Sequence, residues 1–258
     1  MVFILSHKKD KTMGFEKGWW SRIFSYLILG FCITEFIHPC LISAAEKTGT
    51  AALKKATIRY RPPMRGAPVR RVGGGTRGAD DTIPFIAALA PDDTGFTISK
   101  EPVLYFYMAF PWEGQVMFSL VEAETLSTVI ETQINVNQSG ILGISLKDLK
   151  VSLETGVEYE WYVALVPDTE NRSLDVITTG AVKRIQADVD LADKLSAAPL
   201  KPHFVYAEQG LWYDAIDAIN KLIDKHPGDK TLREERISLL EQVGLKEVAT
   251  YEKQLLTK

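Results

Sequence analysis

The stretch "VLYFYMAF", Val103–Phe110, decides the fold class. It holds eight residues without a charge, a glycine or a proline, and four of them are aromatic. Successive side chains of a strand point to opposite faces. Leu104, Phe106, Met108 and Phe110 therefore share one face, and Tyr105, Tyr107 and Ala109 the other. Aromatic residues fit a pleated surface better than a helical one, so a strand is the expected element. Outward from this run the period of two recurs. "QVMFSLVEA" groups Val116, Phe118 and Leu120, and "TVIETQINV" sets Ile130, Thr132, Ile134 and Val136 against Glu131, Gln133 and Asn135. "ILGISL", "EYEWYVALV" and "GAVKRIQA" continue the series. Glycine, proline and acidic turns separate these runs at short spacing, which predicts an antiparallel β-sandwich over residues 84–187.

One local run sharpens that expectation. In "LETGVEYEW", Leu153–Trp161, a glycine follows the leucine by three, a tyrosine follows by three more, and a tryptophan by two more. Sandwiches of the immunoglobulin and fibronectin type use such a run at a corner, where the tyrosine hydroxyl bonds to nearby backbone. From Asp188 the period turns helical, giving a helical region over 188–258. "DVDLADKLSAA" reads as a short helix opened by an acidic cap. "YAEQGLWYDAIDAINKLIDKHPGD" places Gly210, Ala215, Ile216, Leu222 and Pro227 where the second half of a tetratricopeptide repeat keeps its glycine, small residue, apolar ridge and closing proline. "KTLREERISLLEQVGL" supplies a further helix ended by Gly244. A single such unit makes a helical hairpin; a repeat array needs about three.

N-terminal to the strands the pattern changes character. Lys8, Lys9, Lys11, Lys17 and Arg22 precede the apolar "IFSYLILGFCIT", and small residues Ser43 and Ala45 follow. Basic region, apolar run and small residues in that order read as a secretory signal peptide over 1–45, cleaved after Ala45, with an uncleaved anchor as the alternative. The run is shorter than the roughly 20 residues a bilayer span requires, so no transmembrane span is expected after cleavage. Both cysteines, Cys32 and Cys40, fall within that segment, so the expected periplasmic or extracellular chain carries neither disulfide nor thiol. Residues 46–83 read as a basic, extended lead-in rich in Gly, Arg and Pro. From Glu46 to Gly78 there are nine basic residues and one acid, whereas Ala79 to Lys258 carries 16 basic and 29 acidic residues. A basic arm on an acidic body suits contact with an anionic envelope polymer, a protein partner or the body itself.

Taken in order, "RGAPVRRVGGGTRG", "PVLYFYMAFP", "YEWYVALVPDTENRSLDV" with "GAVKRI", "YAEQGLWYDAI" and "LLEQVGL" resemble the cyanobacterial domain-of-unknown-function family 928 over residues 60–250. The resemblance implies an exported protein. It implies no activity and no catalytic residue.

Gly73, Gly75 and Gly78 match G-x-G-x-x-G, but dinucleotide binding needs that run between a buried strand and a helix, and neither flanks it here. Arg65, Arg70, Arg71 and Arg77 are candidate interaction residues through guanidinium forks, with nucleic acid not expected for an exported chain. After cleavage only His203 and His226 remain, both in the helical region, so no histidine metal cluster or Ser-His-Asp set is expected in the sandwich. Glu158 and Glu160 share a strand face about 7 Å apart, within reach of a glycosidase pair. That leaves a carboxylate-dependent hydrolase as a minor alternative. Asp168, Glu170 and Asp175 are oxygen donors in a turn whose spacing matches no calcium loop. Tyr105, Tyr107 and Trp112, if exposed, would stack sugars or anchor a partner; if the helices cover them, they are interdomain core. The reading is a non-catalytic adaptor with an unidentified protein partner, no cofactor and no metal, with a glycan-binding module as the other alternative.

Overall fold

A computed structural model describes residues 57–63 and 82–257. The segment 1–45, Gly73, Gly75, Gly78, Arg65, Arg70, Arg71 and Arg77 lie outside the described residues. Along the chain run β1 (Ile86–Ala88), β2 (Gly95–Thr97), β3 (Val103–Met108), β4 (Gln115–Glu122), β5 (Thr128–Ile134), β6 (Gly140–Ser145), β7 (Glu158–Val166) and β8 (Val176–Arg184). The helices follow: α1 (Leu191–Ala197), α2 (Pro202–Glu208), α3 (Trp212–Lys225), α4 (Lys230–Gln242) and α5 (Lys246–Leu256). The protein is thus mainly β with a helical tail.

The strands form two sheets, β1-β3-β6 and β2-β8-β7-β4-β5. Every pair is antiparallel except β2 and β8, which run parallel from Gly95 beside Val182 to Thr97 beside Arg184. This departs from the all-antiparallel expectation. The reason is that β2 follows a strand of the other sheet, so no hairpin fixes its direction. Leu104, Phe106 and Met108 are fully buried, as are Phe118, Leu120, Trp161 and Val163 of the larger sheet, and all belong to one core. The Ala88 N–H bridges the sheets by donating to Thr178 Oγ1 at 2.8 Å. At Gly180 a Cβ would stand 2.7 Å from the Ala90 Cβ, so only glycine permits this approach of β8 to the segment after β1.

The opposite face of the three-stranded sheet is also covered. The Tyr105 hydroxyl donates to Asp217 Oδ1 of α3 at 3.0 Å, and the Tyr107 ring lies 4.9 Å from that of Tyr251 of α5. Strand β3 is therefore a middle layer, with the larger sheet on one side and helices on the other. A strand buried on both faces needs apolar side chains at both parities, which is what "VLYFYM" supplies. Phe110, beyond the strand end, is 38% exposed and leaves the stripe.

Helix α3 anchors the helical layer. Trp212, Tyr213, Ala215, Ile216, Ile219 and Ile223 are buried at helical spacing. Trp212 Nε1 donates to the Leu89 carbonyl at 2.8 Å, and the Tyr213 hydroxyl donates to the Ala181 carbonyl at 2.8 Å while accepting from Trp161 Nε1 at 2.9 Å. Burial drives that hydroxyl far above the ordinary phenol range. Gly210, with φ +74°, turns the chain from α2 into α3, and Gly244, with φ +77°, turns α4 into α5. Asp229 caps α4 by accepting from the Thr231 N–H at 2.8 Å. The acidic opening expected at the first helix takes another form. Asp190 makes no side-chain cap and pairs with Lys194 at 2.7 Å one turn on. Buried Arg236 of α4 holds α3 and α5 together, donating to Asn220 Oδ1 at 2.7 Å and, through Nε, to Glu252 Oε2 at 3.1 Å.

Part of the basic lead-in is core. Within residues 57–63, Ile58 and Tyr60 are 2% and 7% exposed and pack on the helical layer.

Candidate functional site: the open edge between the sheets

Helix α3 reaches both sheets on the side of β1 and β2. On the other side, among the described residues, no helix residue lines the space between the sheets. There β5 and β6 are the outermost strands of their sheets, and residues 135–139 cross from one to the other. The crossing ends at Gly140, whose φ of +99° admits the turn into β6. Between the two edges lies a cleft of about 290 Å³. Phe106, Leu142, Ile144, Ile134, Val136 and Leu149 give it apolar walls, and Asn135, Asn137, Gln138, Ser145 and Asp148 give it a polar lining. An apolar cleft with a few convergent polar groups is the usual form of a binding site.

Strand β5 pairs with β4 along one side, from Val116 beside Ile134 to Val121 beside Thr128. Its other side takes no strand among the described residues. The strand "TVIETQI" has no proline or lysine, the residues that commonly blunt an edge, and Val129 is 44% exposed. The cleft holds amides and one carboxylate, which suits hydrogen bonding to a polypeptide backbone.

The residues singled out from the sequence fall elsewhere. Tyr107 is 5% exposed beneath α5, its phenol pushed up to about 12 by burial with Tyr251 and Glu252 nearby. Tyr105 is half-buried against α3, its phenol raised by burial and by Asp217. Of the two readings left open for these tyrosines, the helix-covered one describes their surroundings, because two-layer packing of the helices requires a sheet face to bury their apolar stripe. Trp112 belongs to the turn before β4, donates to the Gln115 carbonyl at 3.3 Å and lies over Gly114. Glu158 and Glu160 sit half-buried on the outer face of β7, away from the cleft. Glu158 accepts from the Thr94 hydroxyl at 2.7 Å, and Glu160 accepts from the Tyr162 hydroxyl. Asp175 pairs with Arg172 at 2.7 Å and Asp168 accepts from the Glu170 N–H at 2.9 Å, so each is engaged locally. Among the described residues no group of three or more His, Cys, Asp or Glu is placed to hold a metal ion. No described helix is long and apolar enough to cross a membrane.

His203 is fully buried, with Nε2 2.9 Å from Glu235 Oε2, and Lys201 Nζ lies 3.2 Å from the other oxygen. Burial holds its pKa below the ordinary imidazole value despite the carboxylate. It and half-buried Asp214 have opposed pH dependence. Asp214 lies in the first turn of α3 and accepts from the Ile98 N–H at 3.1 Å. It lines a polar cavity of about 90 Å³ with Glu101, Asp217 and Lys221. Burial raises its carboxyl to about 6. A raised carboxyl binds its proton more tightly in the folded state, so its contribution is fully favourable below the unfolded value and is lost as pH rises to about 6. His203 acts oppositely, costing stability as pH falls below the unfolded imidazole value. Comparing Asp214→Asn with the parent separates them. The variant is expected to be more stable at pH 7, by roughly 2 kcal/mol, with the difference vanishing near pH 4 in urea melts. Equal stabilities at pH 7 and pH 4 would disprove the assignment.

Two sheets, a helical layer over one of them and a cleft between their β5 and β6 edges define the domain. The family model described as Domain of Unknown Function (DUF928) matches residues 72–253. The chain belongs to that family. No curated protein and no solved structure matches it.

Proposed function

We propose that this chain is an exported, non-catalytic protein-interaction module of the cell envelope or secretome, which takes an extended partner segment along the edge of β5. The unpaired edge beside the cleft carries the reading. A strand added there gains backbone hydrogen bonds, and the cleft receives alternate side chains for specificity. Export is supported by the basic, apolar and small-residue order of the first 45 residues, with the family resemblance pointing to a cyanobacterial source. The Tyr159 hydroxyl, which accepts from the Glu154 N–H at 3.2 Å, supports an immunoglobulin- or fibronectin-type corner. The turn of α2 into α3 at Gly210 supports the single repeat-like hairpin. The burial of Tyr107 weighs against the glycan alternative.

The test compares capture by the chain from Glu46 onward with capture by the Val129→Lys/Glu131→Lys variant, using native envelope and medium fractions. The expected result is one discrete protein retained by the parent and lost, by at least about tenfold, when lysines stand on the edge. Polysaccharide recovered without a defined protein, or equal capture by both chains, would sink the proposal.

A further inference from the structure

The helical layer already holds an extended peptide, and that peptide is the chain's own. Residues Thr57–Pro63 carry no helix or strand assignment, yet Ile58 and Tyr60 are core. The side-chain amide of Gln242, at the end of α4, reads the backbone between them. Its Oε1 accepts from the Tyr60 N–H at 2.9 Å and its Nε2 donates to the Ile58 carbonyl at 3.2 Å. These are the two bonds that a neighbouring residue in a parallel ladder would make across Arg59. The next residue is held by α2, where the Arg61 N–H donates to the Ala207 carbonyl at 3.0 Å and the guanidinium lies 3.4 Å from Glu208. The Tyr60 ring meets the edge of Trp212 with centroids 5.0 Å apart. At Gly210 a Cβ would come within 2.7 Å of the Arg61 carbonyl oxygen, so the glycine that turns α2 into α3 also makes room for the peptide.

Three features make this a binding groove rather than ordinary core. The contacts to the peptide backbone come from a side chain and a helix-end carbonyl that also accepts from the Gly210 N–H at 3.1 Å, and neither depends on the peptide's side chains. The groove residues Ala207, Glu208, Gly210, Trp212 and Gln242 lie within the family-matched span 72–253, and the peptide lies before it. The Tyr60 hydroxyl is buried without a hydrogen-bond partner, so the seat reads the aromatic ring and not the phenol.

We infer that the α2–α3–α4 surface is a second binding site, for an extended polypeptide bearing an apolar–x–aromatic–Arg segment, and that residues 57–63 occupy it in cis. This site is separate from the β5 edge and does not depend on it. A partner peptide competes with a tethered ligand. Covalent linkage to the groove in one chain supplies an effective concentration of about 1 mM, so an intrinsic affinity in the tens of micromolar is masked about 30-fold.

The probe is a fluorescein-labelled peptide of residues 55–63, followed by anisotropy. A full chain with Ile58→Asp and Tyr60→Ser, which leaves its own groove empty, is expected to bind the probe about 30-fold more tightly than the parent. Adding Gln242→Ala should weaken that binding at least tenfold. A double variant with parental circular dichroism and no probe binding overturns the inference. Because the double variant can fail to fold, a second measurement uses the parent with a protease site between Pro63 and Thr82, cut after folding. The released strap is expected to exchange for excess probe within hours. Retention of the strap through repeated exchange makes it fixed core and also overturns the inference.

Discussion

Trp212→Ala is expected to produce one of the two largest losses of stability among single replacements in the helical layer, about 3–5 kcal/mol. The side chain is fully buried, and its loss opens a cavity that Tyr60 and the segment after β1 cannot fill without moving. It also strips the Leu89 carbonyl of its donor. For a domain of this size the melting temperature should fall by about 10 °C. Trp212→Phe retains most of the ring and forfeits the hydrogen bond, so its cost should be smaller, near 1 kcal/mol above the volume change. Calorimetry on the two variants checks the order. If phenylalanine cost as much as alanine, the hydrogen bond to Leu89 would dominate and the packing argument would be wrong.

The second large effect concerns charge. Arg236→Ala leaves Glu252, 1% exposed, without its principal partner and leaves Asn220 Oδ1 without a donor. Arg233 stands 3.6 Å from Glu252 and recovers part of the interaction. Breaking one side of a buried pair costs about 3–5 kcal/mol, chiefly because an uncompensated charge stays buried. Replacing both partners with apolar residues of similar volume, Arg236→Met with Glu252→Leu, should restore most of the loss. The check is a double-mutant cycle in urea, read from transition midpoints. A double variant as unstable as Arg236→Ala would show that the pair organises α3, α4 and α5 beyond its own energy.

The strands were legible because each carries its own period. Val116, Phe118 and Leu120, or Tyr159, Trp161 and Val163, declare an inward face without reference to anything distant, and the structure buries all six. What β3 faces on its second side was not legible from "VLYFYMAF". The tyrosines at 105 and 107 fit an exposed binding face and a helix-covered one equally well, and only the apolar stripe of α3 and the position of Tyr251 decide between them. The short β1 and β2 escaped because three residues show no period, and β2 owes its direction to a partner strand some ninety positions later. Ile58 and Tyr60 stood among arginines and prolines, where two apolar residues carry no pattern. Their burial is set by Gln242 and Trp212. The cleft follows from which strands end up at the edges, a property of topology that no local spacing encodes. Asn135, Asn137 and Gln138 read as loop polarity until β5 and β6 bring them beside Phe106.

The bond from Tyr60 to Gln242 joins residues 182 positions apart. Its consequence is temporal. A contact of that separation forms only after nearly the whole chain is present, since loop closure must precede its reward. During synthesis, β3 presents Tyr105 and Tyr107 to solvent until α3 and α5 arrive. The seating of Tyr60 is thus a late event in the life of the nascent polypeptide, whereas the pairing of strands β1 to β8 needs no residue beyond Arg184.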